Sequence, residues 1–509
     1  MTSEVGNILG FASILFIFVI EMMMLGILIL FLADVLQTKD AIRRNFPVVG
    51  HLRPIFQELG VFFRQYFFAM DREELPFNRA QREWVYRASK DSDSTIAFGS
   101  TKDLRPLNTA FFVNCPFPTL EDEAVQTTPV TLGENCRHPF TTDRIVNISA
   151  ISYGALSKVA VQALSHGAAK AGCWLNTGEG GVSPFHLEGK CDIVFQIGTA
   201  HYGARNSDGT LSEEKLAELA RIPQIRMFEI KLSQGAKPGK GGILPADKVT
   251  REIAETRGIP EGSASISPNR NPQINSPSEL LDYIARVRAV TGKPLGFKSV
   301  IGAYGWLETL FREIHRRGIE SAPDFITVDS SDGGTGAAPM SLIDHVGLPI
   351  GESLPMVVDL LVKYDLRKRV KVIASGKLIN PAEVAWALCI GADFVNSARG
   401  FMFSLGCIQA LKCNKNTCPT GITTHNARLQ RGLDPARKSV CVANYASGIE
   451  HEVKVIAHSC GVQNPRQLKR FHARIVTAKG ISMPLSEVYP EPKAGEAISA
   501  IDGAVLKGA

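Results

Sequence analysis

The chain has 509 residues, 45% of them hydrophobic, and a formal net charge of +6. This suffices for one large core plus appended segments, and mild charge without a basic, aromatic-interleaved run speaks against nucleic-acid binding. The ten cysteines are too sparse for a disulfide-stapled secreted domain and read as reduced thiols.

Residues 8–33, ILGFASILFIFVIEMMMLGILILFLA, are almost wholly apolar. As a helix they run about 39 Å, at about 1.5 Å per residue, enough to span a bilayer with some tilt. A signal peptide is disfavoured: there is no basic leader, the run is too long, and no small-x-small site follows. A buried helix of a soluble protein is the alternative. Glu4 is the only side-chain charge before the span, whereas Lys39, Arg43, Arg44 and Arg53 follow it. The positive-inside rule therefore places residues 34–509 in the cytoplasm, as a single-pass membrane protein with a short tail at 1–7. Glu21 lies mid-span, where a carboxylate must be protonated or paired.

Residues 34–144 form a juxtamembrane and helical extension, with LRPIFQELGVFFRQYFF its clearest amphipathic stretch. Packing on the main domain is the expected fate of such a face, and lying along the membrane is the other.

From residue 145 the pattern alternates between short β-type runs and helical ones. The candidate strands are 145–152, 174–180, 227–233, 263–268, 295–300, 325–331, 370–376 and 393–400. Eight strands alternating with helices predict a (β/α)8 TIM barrel over 145–430, with an open doubly wound sheet as the rival. Residues 431–509 read as a helical extension and a tail.

Barrel ligands sit at the C-terminal ends of strands. Those ends carry Ser149, Ala150 and Ser152, then Glu179 in TGEGG, Lys231 and Lys237 in KLSQGAKPGKGG, Lys298, Asp332-Gly333-Gly334, Ser375-Gly376 and Arg399-Gly400. Small residues let backbone amides approach a ligand, and the last two loops are the usual phosphate position. No G-x-G-x-x-G follows a strand, so a nicotinamide Rossmann site is not visible. Cys407, Cys413 and Cys418 follow the last strand in a C-x5-C-x4-C-P run. Three thiolates suit a three-iron cluster better than zinc; three buried thiols in a loop would have the same spacing. A one-phosphate flavin, FMN, accepts single electrons from such a cluster. Lys231, Lys237, Arg257 and Lys298 add positive charge for a reduced flavin or a dicarboxylate.

The motifs SYGALS, TGEGG, FEIKLSQGAKPGKGGILPADKV, DGGTGAAPMSLIDHVGLP and GC-x5-C-x4-CPTGITTH occur in this order. Over about residues 145–475 the chain resembles the FMN-binding central domain of the glutamate synthase family. The resemblance implies a barrel holding FMN beside a [3Fe-4S] cluster on Cys407, Cys413 and Cys418. It places Glu179 near the flavin, Lys231 and Lys237 along the flavin and 2-oxoglutarate pocket, and Arg257 on a substrate carboxylate. The implied reaction is reductive amination of 2-oxoglutarate by ammonia to L-glutamate. Electrons would pass from an external, ferredoxin-like donor through the cluster to FMN.

Three departures qualify it. The chain opens on Met1 and an apolar span rather than a glutaminase domain, so ammonia is expected to be free or supplied by a separate subunit. Ile243 stands where the family has a glutamine, and SPNRNPQINS at 267–276 stands where the family has a PPPHHDIYS-like stretch. Two further readings follow: the same barrel acting on another oxo or imino acid, or an electron-transfer subunit of a membrane complex.

Overall fold

The computed structural model describes residues 2–478 and 480–498. The end of the tail expected at the C-terminus, 499–509, lies outside the described residues. The chain divides into two compact units, Met1–Ala80 and Gln81–Ala509.

In the first unit one helix runs from Thr2 to Leu36. Residues 2–7 are therefore its opening turns, not a separate tail. Its segment Asn7–Leu36 is long and apolar enough to cross a membrane, and none of its most apolar stretch is buried. Asp34 closes this helix: its carboxylate accepts from Val48 N at 2.8 Å and lies 2.9 Å from His51 Nε2. A helix over Leu52–Phe63 and a π turn over Arg64–Phe68 follow.

The second unit is built on a closed barrel of eight parallel strands. In chain order these are β1 (Val146–Ile148), β2 (Leu175–Asn176), β3 (Ile193–Ile197), β4 (Ile225–Lys231), β5 (Leu295–Val300), β6 (Phe325–Asp329), β7 (Lys371–Ser375) and β8 (Phe394–Ser397). Each strand pairs with its neighbours in sequence, and β8 closes on β1 through Val395–Val146 and Ser397–Ile148. The TIM barrel expected from the alternating pattern is the fold.

One strand assignment is corrected. Residues 263–268 do not enter the barrel: Ser265–Ile266 pairs antiparallel with Ile243–Leu244 in a two-stranded sheet. The missing barrel strand is Ile193–Ile197, all five residues buried. A barrel strand covered on both faces has no alternation to show, only a short apolar run. The inserted hairpin lies between β4 and the helix Pro277–Thr291, and so brings the 232–276 segment to the strand-end face.

Helices begin and end where local chemistry directs. Ser157 caps Lys158–Ala171 by accepting from Ala160 N, and Gly172 ends it at φ 73°, a left-handed angle that costs glycine little. Asn380 and Glu383 form a reciprocal capping box on Pro381–Ile390. At the N-terminal end of the barrel, Leu132 and Phe140 from an antiparallel hairpin pack with Trp174, Met227, Phe325 and Phe394. That plug leaves the opposite end for a site.

The C-terminal region is more than a helix and tail. Helix Pro435–Ser459 carries Glu450, whose Oε1 accepts from Ile145 N at 2.8 Å and Val146 N at 3.1 Å, at the start of β1. Ala473–Val476 then pairs with both Ala110–Phe112 and Ser482–Pro484. Those pairings join residues far apart in sequence, which no local pattern announces.

Candidate active site

Four of the predicted residues converge at the strand-end face. Lys231, the last residue of β4, places Nζ 3.0 Å from Glu179 Oε2 in the turn after β2. The same ammonium donates to Gln234 Oε1 at 2.7 Å. Burial pushes the Glu179 carboxyl up, but Lys231, Lys237 and Arg257 outweigh it and hold the carboxyl below its usual value. Glu179 is thus a carboxylate surrounded by three cations. Gly242 comes so close that a Cβ there would lie 2.3 Å from Glu179 Oε1.

Lys237 is buried, and desolvation together with Lys231 lowers its pKa to about 8. Arg257 is buried at the end of a short helix. Its Nη1 donates to Ser265 Oγ at 2.9 Å, its Nη2 to Tyr153 O at 3.1 Å, and its guanidinium lies 5.2 Å from the Tyr202 ring centre. Its Nε is buried and has no hydrogen-bond partner.

A second group of residues lines an open cleft. Ser149, Ala150, Lys298, Gly333, Gly334, Ser375, Gly376 and Arg399, all expected from the sequence, line it. Lys298 is anchored by Asp329 Oδ2 at 3.0 Å, and the same oxygen accepts from Gly235 N at 3.0 Å. Burial works against the Lys298 ammonium, but Asp329 and Glu229 win and raise its pKa. Arg399 is half-buried; desolvation pushes its guanidinium down to about 10, and it donates to Asp332 O. Close packing against other residues requires glycine at two of these positions: a Cβ on Gly376 would lie 2.2 Å from Ser330 Oγ, and one on Gly334 2.9 Å from Arg399 Nε.

Gln234 joins the two groups. It receives from Lys231 and donates through Nε2 to Gly334 O at 3.0 Å. The charged cluster and the cleft are therefore linked through one side chain.

Three predicted residues stand outside the cleft lining. Asp332 accepts from Ile350 N at 2.9 Å at the start of the next helix and lies 3.6 Å from Lys377 Nζ. Gly400 is pressed beneath Tyr445, where a Cβ would come within 2.0 Å of the phenol oxygen. Ser152 lies in the turn that packs on Gly178 and Gly180.

Several contributors were not singled out from the sequence. Glu229, inside the barrel, accepts from Asn176 Nδ2, Gln196 Nε2 and Thr327 Oγ1 at 2.9, 2.7 and 2.6 Å. A glutamate in the middle of an apolar strand was its signal. Asp329 lies in the candidate strand 325–331, Lys377 directly follows Ser375-Gly376, and Gln234 lies inside KLSQG, but only the folded loops show what they touch.

Cys407, Cys413 and Cys418 lie in the loop after the short helix Arg399–Ser404, which separates them from β8. Among the described residues no three His, Cys, Asp or Glu side chains are gathered as a metal site. The three sulfurs do act on one another: burial, then Cys413 and Cys418, push the Cys407 thiol up to about 11. Lys248 holds the loop, donating to Cys413 O at 3.2 Å and Thr423 O at 2.8 Å.

A family model described as the conserved region in glutamate synthase matches residues 99–463. The glutamate synthase large subunit-like protein YerD of Bacillus subtilis is 39% identical over 484 residues, covering 87% of this chain and 91% of that protein. An archaeal-type NADPH glutamate synthase of Thermotoga maritima is 32% identical over 326 residues, 64% of this chain and 61% of the relative. This chain thus spans less than two thirds of that second relative. Among solved structures, a mutant flavocytochrome b2 with pyruvate bound shares 15% identity at a TM-score of 0.45, over 81% of this chain and 89% of that one.

Proposed function

The chain belongs to the glutamate synthase family, and from that premise we propose that it is an FMN- and iron–sulfur-dependent reductive aminase, anchored to a membrane by Thr2–Leu36, that converts 2-oxoglutarate and ammonia to L-glutamate. The carrying observation is the buried Glu179–Lys231 pair flanked by Lys237 and Arg257 and linked by Gln234 to a glycine-rich cleft.

The cleft fits a flavin mononucleotide. Its lining is rich in small residues, Gly333, Gly334 and Gly376 among them, whose backbone can approach a ligand, and Arg399 and Lys298 offer charge to a phosphate and a reduced ring. Ser149, Ala150, Gly333 and Ser375 complete that surface. The donor chemistry of Cys407, Cys413 and Cys418, three thiols in one loop with the Lys248 ammonium acting on Cys413 and Cys418, fits a three-thiolate [3Fe-4S] site. When bound, FMN supplies hydride and the cluster passes it single electrons from an external ferredoxin-type donor.

The chain's own residues do the rest. Arg257 and Lys237 grip the two carboxylates of the oxo acid and fix its carbonyl carbon. Lys231 holds Glu179 ionised and in place. Lys237, its pKa lowered to about 8, delivers a proton from Nζ to the amino group as it forms. The excess of basic residues after the span supports a barrel on the cytoplasmic side, with ammonia arriving free or from a separate subunit.

The test is reoxidation of the purified, chemically reduced protein. Flavin absorbance and an iron signal in electron paramagnetic resonance are expected, followed by reoxidation on adding 2-oxoglutarate with ammonium. Absence of either cofactor overturns the cofactor assignment.

A second reading is favoured by Ile243. It is 47% exposed, follows Gly242 beside the Glu179 carboxylate, and pairs with the exposed Ile266. An oxo acid with an apolar chain would suit that surface, and faster reoxidation by such an acid than by 2-oxoglutarate selects this reading. Reoxidation by a partner protein alone selects an electron-transfer subunit.

A further inference from the structure

The segment Leu52–Phe68 inverts the usual burial of an amphipathic helix. None of its residues is buried, neither in Leu52–Phe63 nor in the π turn Arg64–Phe68. Ile55, Phe56, Leu59, Phe62, Phe63 and Tyr66 recur at helical spacing on one face and are 42–66% exposed. Arg53, Gln57 and Arg64 fall together on another face. The aromatic rings pack on each other rather than on a core: Phe62 lies 4.8 Å from Tyr66, and Phe63 5.7 Å from Phe67. An exposed apolar patch of this extent marks an interaction surface.

Two observations say what covers it. The first is continuity with the apolar helix. Asp34, in that helix's last turn, accepts from Val48 N and pairs with His51 Nε2, so the residue just before Leu52 is tied to the place where the span ends. The amphipathic helix thus starts at the level of the span's exit. The second is charge. Residues 37–70 hold five basic side chains (Lys39, Arg43, Arg44, Arg53 and Arg64) against two acidic ones (Asp40 and Glu58). A basic, aromatic-rich amphipathic helix beside a span matches a bilayer surface with anionic headgroups.

We propose that Leu52–Phe68 is an interfacial element that lies along the bilayer crossed by Thr2–Leu36, its aromatic face inserted at the boundary between headgroups and acyl chains. This rests on the membrane-anchored reading. It takes up the second of the two fates expected for this stretch, and gives the protein a second, in-plane attachment to the membrane.

The experiment uses the full chain reconstituted in vesicles of phosphatidylcholine and phosphatidylglycerol. The photo-crosslinker benzoylphenylalanine replaces Phe62, Gln57 or, as a control inside the span, Phe16. After irradiation, mass spectrometry reads the adducts. The expected result is lipid adducts at Phe62 in yield comparable with Phe16 and at least about fivefold above Gln57. Adducts from Phe62 to peptides of residues 81–509 or to a second copy, with Phe16 still labelling lipid, overturn the proposal and leave the span intact. Absence of lipid adducts at Phe16 overturns the span itself. Unchanged flavin absorbance in each variant shows that the barrel is folded.

Discussion

Lys231 Nζ stands 3.0 Å from Glu179 Oε2, joining the end of β4 to the turn after β2, and the same ammonium donates to Gln234. One cation thus orients the carboxylate and couples it to the cleft. Lys231→Met leaves Glu179 buried with its nearest partner gone. Breaking a buried pair from one side costs about 3–5 kcal/mol, and losing one preorganised charge costs about 100-fold or more in rate. Urea unfolding and the reoxidation rate read both effects. The double variant with Glu179→Gln is expected to regain much of the stability and none of the rate. A single variant as stable as the parent would show that the pair does not hold the site together.

Lys237 sets a pH dependence. Its pKa falls from 10.5 unfolded to about 8 folded, so the fold disfavours its charged form. The cost is fully present below about 8, shrinks as pH rises toward 10.5, and is absent above it. Relative to Lys237→Met, the parent is therefore expected to gain stability as pH rises from 8 to 10.5, in matched unfolding series. Substrate binding runs the other way: KM for a dicarboxylate rises above pH 8 as the ammonium is lost. Lys237→Arg flattens that rise, because a guanidinium stays charged.

Gly242 is a packing test of the carboxylate's position. A Cβ there would lie 2.3 Å from Glu179 Oε1, so Gly242→Ala must displace the carboxylate. Activity is expected to fall at least tenfold while the midpoint of thermal unfolding moves by only a few degrees, as a shift of about 1 kcal/mol would give. Retained activity would place Glu179 outside the reaction.

The cysteine loop is testable without turnover. Cys413→Ser removes one of three thiols, and iron content per chain is expected to drop severalfold, with flavin content unchanged. Chelation of the parent protein should reproduce the loss. Iron that stays bound in the variant would assign it elsewhere.

The sequence by itself determined the long apolar N-terminal run, the barrel class, the small-residue strand ends and the charged residue types that gather there. Each is local: a long apolar run, a switch between periods, or a glycine-rich turn leaves its mark within a few residues. Even so, Ser265–Ile266 was taken into the barrel and Ile193–Ile197 was passed over. A parallel strand buried on both faces is only a short apolar run, and a hairpin edge looks much the same. Barrel closure decided between them, because only Ile193–Ile197 can pair with both Leu175–Asn176 and β4. Closure also decided the site. Glu179, Lys231, Lys237 and Arg257 are spread over loops from different strands, and Gln234, Glu229 and Asp329 acquire their roles only through partners brought by other strands. Side-chain type is written in the chain, but distance is set by the ring of strand pairings, and a charged cluster is a matter of distance.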